Sequence, residues 1–148
     1  MDTEKLLRCL NDHGVKYVVI GATAFPIHGY ARATLDVDFL LEPSPENAAR
    51  TLEALRTFGY DVADLTAADL LQYKVLVRQY VVEADFHPNA AGVTFDGVWK
   101  RRIEAPYGST ATAFASLDDL ILMKEAAGRP KDLEDLRYLR KLRERRDR

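Results

Sequence analysis

Cysteine is nearly absent from this sequence of 148 residues, which contains only Cys9. A single cysteine cannot form an internal disulfide, and no cluster of cysteine and histidine has the spacing of a zinc site. Hydrophobic runs of membrane-spanning length are also missing, and residues 1–4 are not typical of a secretion signal. These absences exclude disulfide scaffolds and zinc ribbons, and we expect a cytoplasmic protein with no membrane partner.

A strong excess of charge of one sign is absent too, since 21 Lys and Arg face 23 Asp and Glu, for a net charge of −2. This balance gives no general nucleic-acid signature. The basic residues are nevertheless uneven, because residues 137–148 hold seven Arg or Lys against two Asp or Glu. Such a terminal helix is usually solvated surface, and the alternative is contact with an RNA backbone or an acidic partner.

The length and the hydrophobic fraction of 47% suit one globular domain over residues 1–148, with a core at about 15–106 and a C-terminal helical part at about 116–148. Helical periodicity and capping residues predict helices over 3–13, 23–29, 45–58, 66–71, 116–127 and from 130 onwards. Short β-branched and aromatic runs predict strands over 17–20, 35–41, 60–65, 74–78 and 80–87, with 98–105 weakly extended. The predicted fold class is α+β (or α/β), with a mixed sheet of about four or five strands flanked by helices.

Two aspartates alternate along the predicted strand 35–41. Residues two apart on a strand share a face, so Asp36 and Asp38 lie opposite the apolar set Leu35, Val37, Phe39 and Leu41. Adjacent carboxylates repel unless a cation lies between them, and Mg²⁺ commonly takes one or two carboxylates together with substrate phosphates. The alternative is an ordinary solvated sheet face.

A third carboxylate has the same setting on strand 80–87, which we expect to form a hairpin with 74–78. Glu83, Asp85 and His87 share one face, and the opposite face is apolar. If this strand pairs beside strand 35–41, Asp85 joins Asp36 and Asp38. Three such carboxylates can hold two metal ions and activate an attacking hydroxyl.

Gly21 follows a buried strand and precedes the predicted helix 23–29, for which Thr23 is the expected N-cap. Backbone N–H groups at such a position receive phosphate, and glycine lets the phosphate approach closely. A simple turn is the alternative. Arg32 and Thr34 lie four and two residues before Asp36, so in an extended chain all three side chains share a face. Arg32 could neutralise triphosphate charge or simply pair with the aspartates.

Lys124 lies on the inward stripe of the helix 116–127. A lysine there must reach solvent or a buried anion, and the candidates are a triphosphate or the carboxylates of Asp132 and Asp135. His28 and His87 are lesser candidates, each more typical of a structural histidine. His87 could orient an acceptor, because it shares a face with Asp85.

The stretch 17–41, with a strand, a Gly21 turn, a helix and the Asp36-Val37-Asp38 strand, resembles the nucleotidyltransferase (polymerase-β-like) superfamily. The interval with His28-Gly29, Arg32 and Thr34 is most similar to the AbiEii-type branch, found among toxin–antitoxin and phage-defence systems. Short antibiotic nucleotidyltransferases share a similar layout. Asp85 matches the third acidic position of the family, and residues 117–136 resemble the AbiEii-type ending.

This resemblance implies a minimal nucleotidyltransferase fold and an enzyme that moves a nucleoside monophosphate from an NTP to an acceptor hydroxyl. It implies Mg²⁺, with Mn²⁺ as the alternative, held by the catalytic residues Asp36, Asp38 and Asp85. The implied nucleotide-binding residues are Gly21, Ala22, Thr23, Arg32, Thr34 and Lys124. Ala22 departs from the family, which usually has Gly or Ser there, so no hydroxyl is available at this position and Thr23 is the nearest substitute.

The acceptor is left open by the sequence. An RNA such as a tRNA end, a cognate partner protein and a small molecule are the candidates, and Tyr73, Tyr80 and Trp99 could contribute to a small-molecule pocket. A homo-oligomer is compatible with the sequence. The rival hypothesis is a catalytically degenerate nucleotidyltransferase fold that acts as a binding partner or an antitoxin.

Overall fold

A computed structural model describes residues 2–79 and 82–148, and within them six strands form one mixed sheet. The strands are β1 (Tyr17–Ile20), β2 (Asp36–Leu41), β3 (Val75–Val77), β4 (Glu83–His87), β5 (Ile103–Tyr107) and β6 (Thr110–Phe114). The helices are α1 (Asp2–Asp12), α2 (Pro45–Phe58), α3 (Ala67–Gln72), α4 (Phe95–Arg101), α5 (Leu117–Ala127) and α6 (Asp132–Arg146).

The strand order across the sheet is β3-β4-β2-β1-β6-β5. Strand β2 pairs antiparallel with β1 and parallel with β4, and β3 and β4 form the predicted antiparallel pair. Strand β6 runs parallel to β1 and pairs antiparallel with the edge strand β5. The α+β class with a mixed sheet is confirmed, and the sheet is one or two strands wider than predicted.

The core lies where the sheet meets helices α1 and α2. All four residues of β1 are buried, and Leu6, Leu7 and Leu10 of α1 are fully buried. Phe39 of β2 stacks on Phe86 of β4 with ring centroids 5.1 Å apart. Close packing of this kind fixes the register of β2 against β4, because a shift of one residue between the strands would place the two rings on opposite faces of the sheet.

Several predicted elements were wrong in type or position. Residues 60–65 form no strand; Tyr60 is instead buried, and its hydroxyl donates to the Val82 carbonyl. The segment 98–105 is helix α4 followed by β5, because the Thr94 side chain caps the helix and Val98 is buried on its inner face. Strand β6 was not predicted. Tyr80 and Val81, which belonged to the predicted strand 80–87, lie outside the described residues.

The segment after β1 also differs from its prediction. Instead of one helix over 23–29 with Thr23 as N-cap, two short 3-10 helices cover Gly21–Ala24 and Pro26–His28. Leu35, predicted to face the core, precedes β2 and has 91% of its surface exposed. Helix α6 begins at Asp132, two residues after the predicted start. None of the helices in residues 2–79 and 82–148 is long and apolar enough to cross a membrane.

Candidate functional site

The parallel pairing of β2 with β4 aligns the acidic side chains. Asp38 lies directly beside Asp85, and Asp36 lies beside Glu83. Because alternate residues of a strand share a face, these four carboxylates and His87 form one patch, which we call the carboxylate face. The predicted meeting of Asp36, Asp38 and Asp85 on neighbouring strands is confirmed. Asp85 is 4% exposed, so its charge is held away from bulk water.

Gly21 lies against this face from the neighbouring strand β1, since Ile20 is the partner of Asp38 in the antiparallel register. The φ angle of Gly21 is +69°, a conformation that glycine adopts without steric cost. A Cβ atom at this position would lie 2.7 Å from Oδ2 of Asp38. Glycine is therefore required here both by the backbone conformation and by the close approach of the Asp38 carboxylate.

Arg78, which follows β3, reaches three of the four carboxylates, and sequence reasoning missed it. Its guanidinium donates to both carboxylate oxygens of Asp85, lies 3.4 Å from Oδ2 of Asp36 and lies 3.8 Å from Oε2 of Glu83. The hydrogen bond to Asp85 raises the pKa of Arg78 further. The sequence held a partial indication of this role, because Arg78 lies two residues after Leu76 and therefore shares its face of the strand. Leu76 is the β3 partner of Asp85.

Glu83 and Asp36 lie side by side on the carboxylate face, and their carboxyl groups interact directly. The pKa of Glu83 is raised, first by its hydrogen bond with Asp36 and then by burial, although the charge of Arg78 opposes the shift. Four carboxyl groups share this face with one guanidinium, so Arg78 alone does not neutralise the cluster. A further cation is the direct physical means of relieving the repulsion between carboxylates.

His87 completes the carboxylate face at the end of β4. Its Nε2 lies 2.9 Å from Oδ1 of Asp38. Three possible ligand atoms, one each from Asp38, Asp85 and His87, all lie within 4.8 Å of one another. These atoms are close enough to bind a single cation.

All members of the carboxylate face except Glu83 line a cleft of about 620 Å³, which cationic residues also line. Lys124 of α5 lines it, with Nζ 2.9 Å from Oδ1 of Asp132 and 3.3 Å from Oδ2 of Asp135. Arg32 makes two hydrogen bonds to Asp135, of 2.9 and 3.0 Å. Of the partners that the sequence left open, the structure joins Lys124 to Asp132 and Asp135, and Arg32 to Asp135 instead of Asp36 or Asp38.

These ion pairs set the charge state of the wall formed by α5 and α6. Burial alone would raise the pKa of Asp135, but hydrogen bonds from Arg32 and Tyr30 outweigh it, and the pKa is lowered. The same opposition leaves the pKa of Asp132 lowered, here by Arg129 and Lys124. Both carboxylates are therefore ionised at neutral pH. Lys74, Arg129 and Lys131 also line the cleft.

Five of the six predicted nucleotide-binding residues line the cleft, namely Gly21, Ala22, Arg32, Thr34 and Lys124. The Thr23 hydroxyl points elsewhere and donates to the Asp36 carbonyl oxygen at 3.4 Å. The Thr34 hydroxyl donates to the same carbonyl at 3.0 Å. These two hydroxyl groups thus fix the start of β2, where the first aspartate lies.

Among the described residues, the candidates Trp99, Tyr73 and His28 do not line the cleft. Trp99 packs against Phe95, and the guanidinium of Arg102 covers its ring at 3.8 Å. Tyr73 is exposed, and Tyr80 is outside the described residues. His28 is within 2.9 Å of the Ala115 carbonyl oxygen, the pattern of a structural histidine.

Aspartates on adjacent strands, a glycine turn pressed against one of them and a cation-lined cleft are the arrangement expected of the nucleotidyltransferase class. The chain belongs to the family described as nucleotidyl transferase of unknown function (DUF2204), whose sequence model matches residues 1–147. The nucleotidyltransferase resemblance is thereby confirmed, and the AbiEii-type branch stays a prediction. No curated protein matches the sequence.

Proposed function

We propose that this protein transfers a nucleoside monophosphate from an NTP to an acceptor hydroxyl in a reaction that depends on Mg²⁺. The observation that carries the proposal is the β2–β4 register, which sets Asp38 beside Asp85 on a face that also holds Asp36. These carboxylates line a cleft that lysine and arginine side chains also line. Such a cleft matches both halves of a metal-bound triphosphate, the cation and the anion.

The donor atoms fit the implied metal. Asp36, Asp38 and Asp85 offer carboxylate oxygens, the ligands that Mg²⁺ prefers, and Mn²⁺ is the alternative ion. Four carboxyl groups share the carboxylate face with the guanidinium of Arg78, which supports a place for a further cation. Bound there, the metal would neutralise phosphate charge and favour ionisation of the acceptor hydroxyl.

The triphosphate would lie between the Gly21 turn and the wall formed by α5 and α6. At Gly21–Ala24 the 3-10 helix is only four residues long, so backbone N–H groups and not a long helix dipole would meet the phosphate. A lysine ammonium has three N–H donors, and Lys124 donates one to Asp132 and lies within ion-pair distance of Asp135. A remaining donor can reach a phosphate oxygen without breaking either ion pair.

Asp85 is the proposed general base. It would accept the proton of the acceptor hydroxyl as that oxygen attacks the α-phosphorus in line. The new bond joins the acceptor oxygen to the α-phosphorus, and the bond to the bridging oxygen of the departing pyrophosphate breaks. Lys124 and Arg32 would stabilise the charge that develops on the pyrophosphate.

The acceptor would approach from the β3 side, where the exposed side chain of Leu76 lies next to Asp85. An RNA end, a partner protein and a small molecule all carry a suitable hydroxyl. The charge of α6 is partly neutralised, since Arg140 pairs with Glu125 and Arg146 pairs with Asp118. A role in a toxin–antitoxin or phage-defence system is a proposal that comes from the AbiEii-type resemblance alone.

A second candidate function is binding without transfer, as a nucleotidyltransferase fold that serves a partner. The observation that favours it is the double hydrogen bond from Arg78 to Asp85, which occupies the proposed general base. In that case the arginine would stabilise the carboxylates permanently, and no metal would be needed.

The experiment compares wild type with Asp38→Asn and with Asp12→Asn, a matched change at the exposed end of α1. Each NTP, labelled at the α-phosphate, is incubated with RNA, with protein and with small hydroxyl compounds, with and without Mg²⁺ or Mn²⁺. We expect metal-dependent label in one acceptor pool for wild type and Asp12→Asn, and none for Asp38→Asn. Nucleotide binding that needs no metal, with no label in any acceptor pool, would favour the second candidate. Equal behaviour of the two variants would contradict the proposed site.

A further inference from the structure

We propose that His87 is a direct metal ligand, so that the site binds Mn²⁺ or a similar first-row ion in preference to Mg²⁺. This inference rests on the proposed function, because it assumes that a metal binds at Asp38 and Asp85. It adds a nitrogen ligand to a site that the carboxylates alone would make purely oxygen-based.

The geometry around Asp38 carries the inference. Two ligand atoms at right angles around an ion, with bonds of about 2.1 Å, are about 3.0 Å apart. Nε2 of His87 donates a hydrogen bond to Oδ1 of Asp38 at 2.9 Å, which matches this ligand spacing, so a bound ion would take the place of the shared proton. The Asp85 ligand atom lies within 4.8 Å of both, so a small inward movement suffices for all three to share one ion.

His87 is held rigidly in this position. It is the last residue of β4 and is paired with Leu40 in the register that also aligns Asp38 with Asp85. Its side chain is 18% exposed, so the ring is largely enclosed while its Nε2 edge contacts Asp38 in the cleft. The ion pairs of Arg78 are to Asp36, Glu83 and Asp85, which leaves the edge between Asp38 and His87 to a different cation.

The other two of the three histidines are engaged elsewhere. His13 lies 2.8 Å from the Cys9 carbonyl oxygen and 3.2 Å from the Thr57 hydroxyl. His28 lies against the Ala115 carbonyl. A histidine nitrogen signal from a bound metal would therefore come from His87, and His13→Gln is a matched control.

A nitrogen ligand changes which ion the site prefers. Mg²⁺ is a hard ion that favours oxygen, whereas imidazole suits the first-row transition ions, and Mn²⁺ accepts both. We therefore expect Mn²⁺ to bind wild type at least about tenfold more tightly than Mg²⁺. Loss of the imidazole should weaken Mn²⁺ binding by about 10- to 100-fold and change Mg²⁺ binding by less than about threefold.

The test uses the full chain and two readouts other than activity. Mn²⁺ affinity is measured by electron paramagnetic resonance, with Mg²⁺ as competitor, for wild type, His87→Gln, His13→Gln and Asp38→Asn. Electron spin echo modulation on protein labelled with ¹⁵N-histidine then reports whether a histidine nitrogen is bonded to the Mn²⁺. The second readout needs only wild type, so it decides the question even if His87→Gln does not fold.

We expect a ¹⁵N coupling in wild type and His13→Gln, and its loss together with weaker Mn²⁺ binding in His87→Gln. Mn²⁺ binding that depends on Asp38 but shows no ¹⁵N coupling would overturn the role of His87 and leave the proposed function intact. Absence of metal binding, or binding unaffected by Asp38→Asn, would overturn the proposed function as well.

Discussion

Substitution of Gly21 by alanine separates backbone strain from damage to the site, because Gly14 provides a matched control. The φ angles of the two glycines are +69° and +66°. A Cβ at Gly21 would lie 2.7 Å from Oδ2 of Asp38, whereas at Gly14 the nearest atom, Cδ of Arg50, is 3.9 Å away. The two alanine variants therefore share the same strain and differ only in the contact with Asp38.

The strain should be similar in both variants. A left-handed conformation costs an alanine about 1–2 kcal/mol, and the stiffer unfolded chain offsets about 0.4–1 kcal/mol of that. We therefore expect each variant to lose about 1 kcal/mol of unfolding free energy. For a domain of this size that corresponds to about 2–4 °C in Tm, measured by thermal unfolding without ligand.

The functional loss should occur in Gly21→Ala alone. To restore an ordinary contact of 3.4 Å, the Asp38 oxygen must retreat by about 0.7 Å. Functional geometries tolerate about 0.5 Å, and a misplacement of about 1 Å costs on the order of 100-fold in rate. We expect metal-dependent nucleotide transfer to fall about 100-fold in Gly21→Ala and to stay within about twofold of wild type in Gly14→Ala. Equal transfer rates for the two variants would refute this reasoning.

Two further predictions concern the arginine pairs. Arg78→Gln should tighten Mn²⁺ binding by about threefold to tenfold, because the guanidinium no longer competes for Asp85. Calorimetry measures the Mn²⁺ affinity, and weaker binding would show that Arg78 supports the metal site instead. Asp135→Asn should lower the unfolding free energy by about 2 kcal/mol at pH 7, because Asp135 loses charged hydrogen bonds from Arg32. The pKa of Asp135 is lowered in the folded protein, so its ionised carboxylate stabilises the fold at pH values above the ordinary pKa of about 4. This stabilisation is lost as the pH falls through the lowered pKa. Urea unfolding at pH 7 and pH 3 should show the difference from wild type shrinking at the lower pH, and a difference independent of pH would contradict the ion-pair account.

The centre of the sheet could be predicted because its sequence signal is local. Strands β2 and β4 alternate between acidic and apolar residues. Because successive side chains of a strand point to opposite faces, this alternation alone places Asp36, Asp38 and Asp85 on the face opposite the apolar residues. The pairing of β2 with β4 required only that both apolar faces enter the same core. Phe39 stacked on Phe86 is the result.

Strands β5 and β6 could not be predicted as easily. Strand β6, Thr110–Phe114, is built of Thr and Ala up to Phe114, and alanine gives little contrast between a buried and an exposed position. Only Val19 pairs it to β1, so its place in the sheet depends on tertiary contacts. Helix α4 was misread for a related reason: its seven residues are too few for a clear helical period.

The contacts of the cationic side chains and of His87 depend on helix packing and strand register, which sequence spacing does not determine. Lys124 was correctly placed facing inward, but its contacts with Asp132 and Asp135 depend on how α5 packs against α6. Arg78 shares a face with Leu76, but its contacts with the carboxylates needed the register of β3 against β4. His87 was seen to share a face with Asp85, while its contact with Asp38 needed the register of β2 against β4.

The most direct measurement of the central claim is calorimetric titration of NTPs into wild type, Asp38→Asn and Asp12→Asn, with and without Mg²⁺ or Mn²⁺. We predict that at least one NTP binds wild type and Asp12→Asn only with the metal, and that Asp38→Asn loses this binding. Nucleotide binding that is independent of metal, or that survives in Asp38→Asn, would contradict a metal-dependent site at the aligned aspartates of β2 and β4.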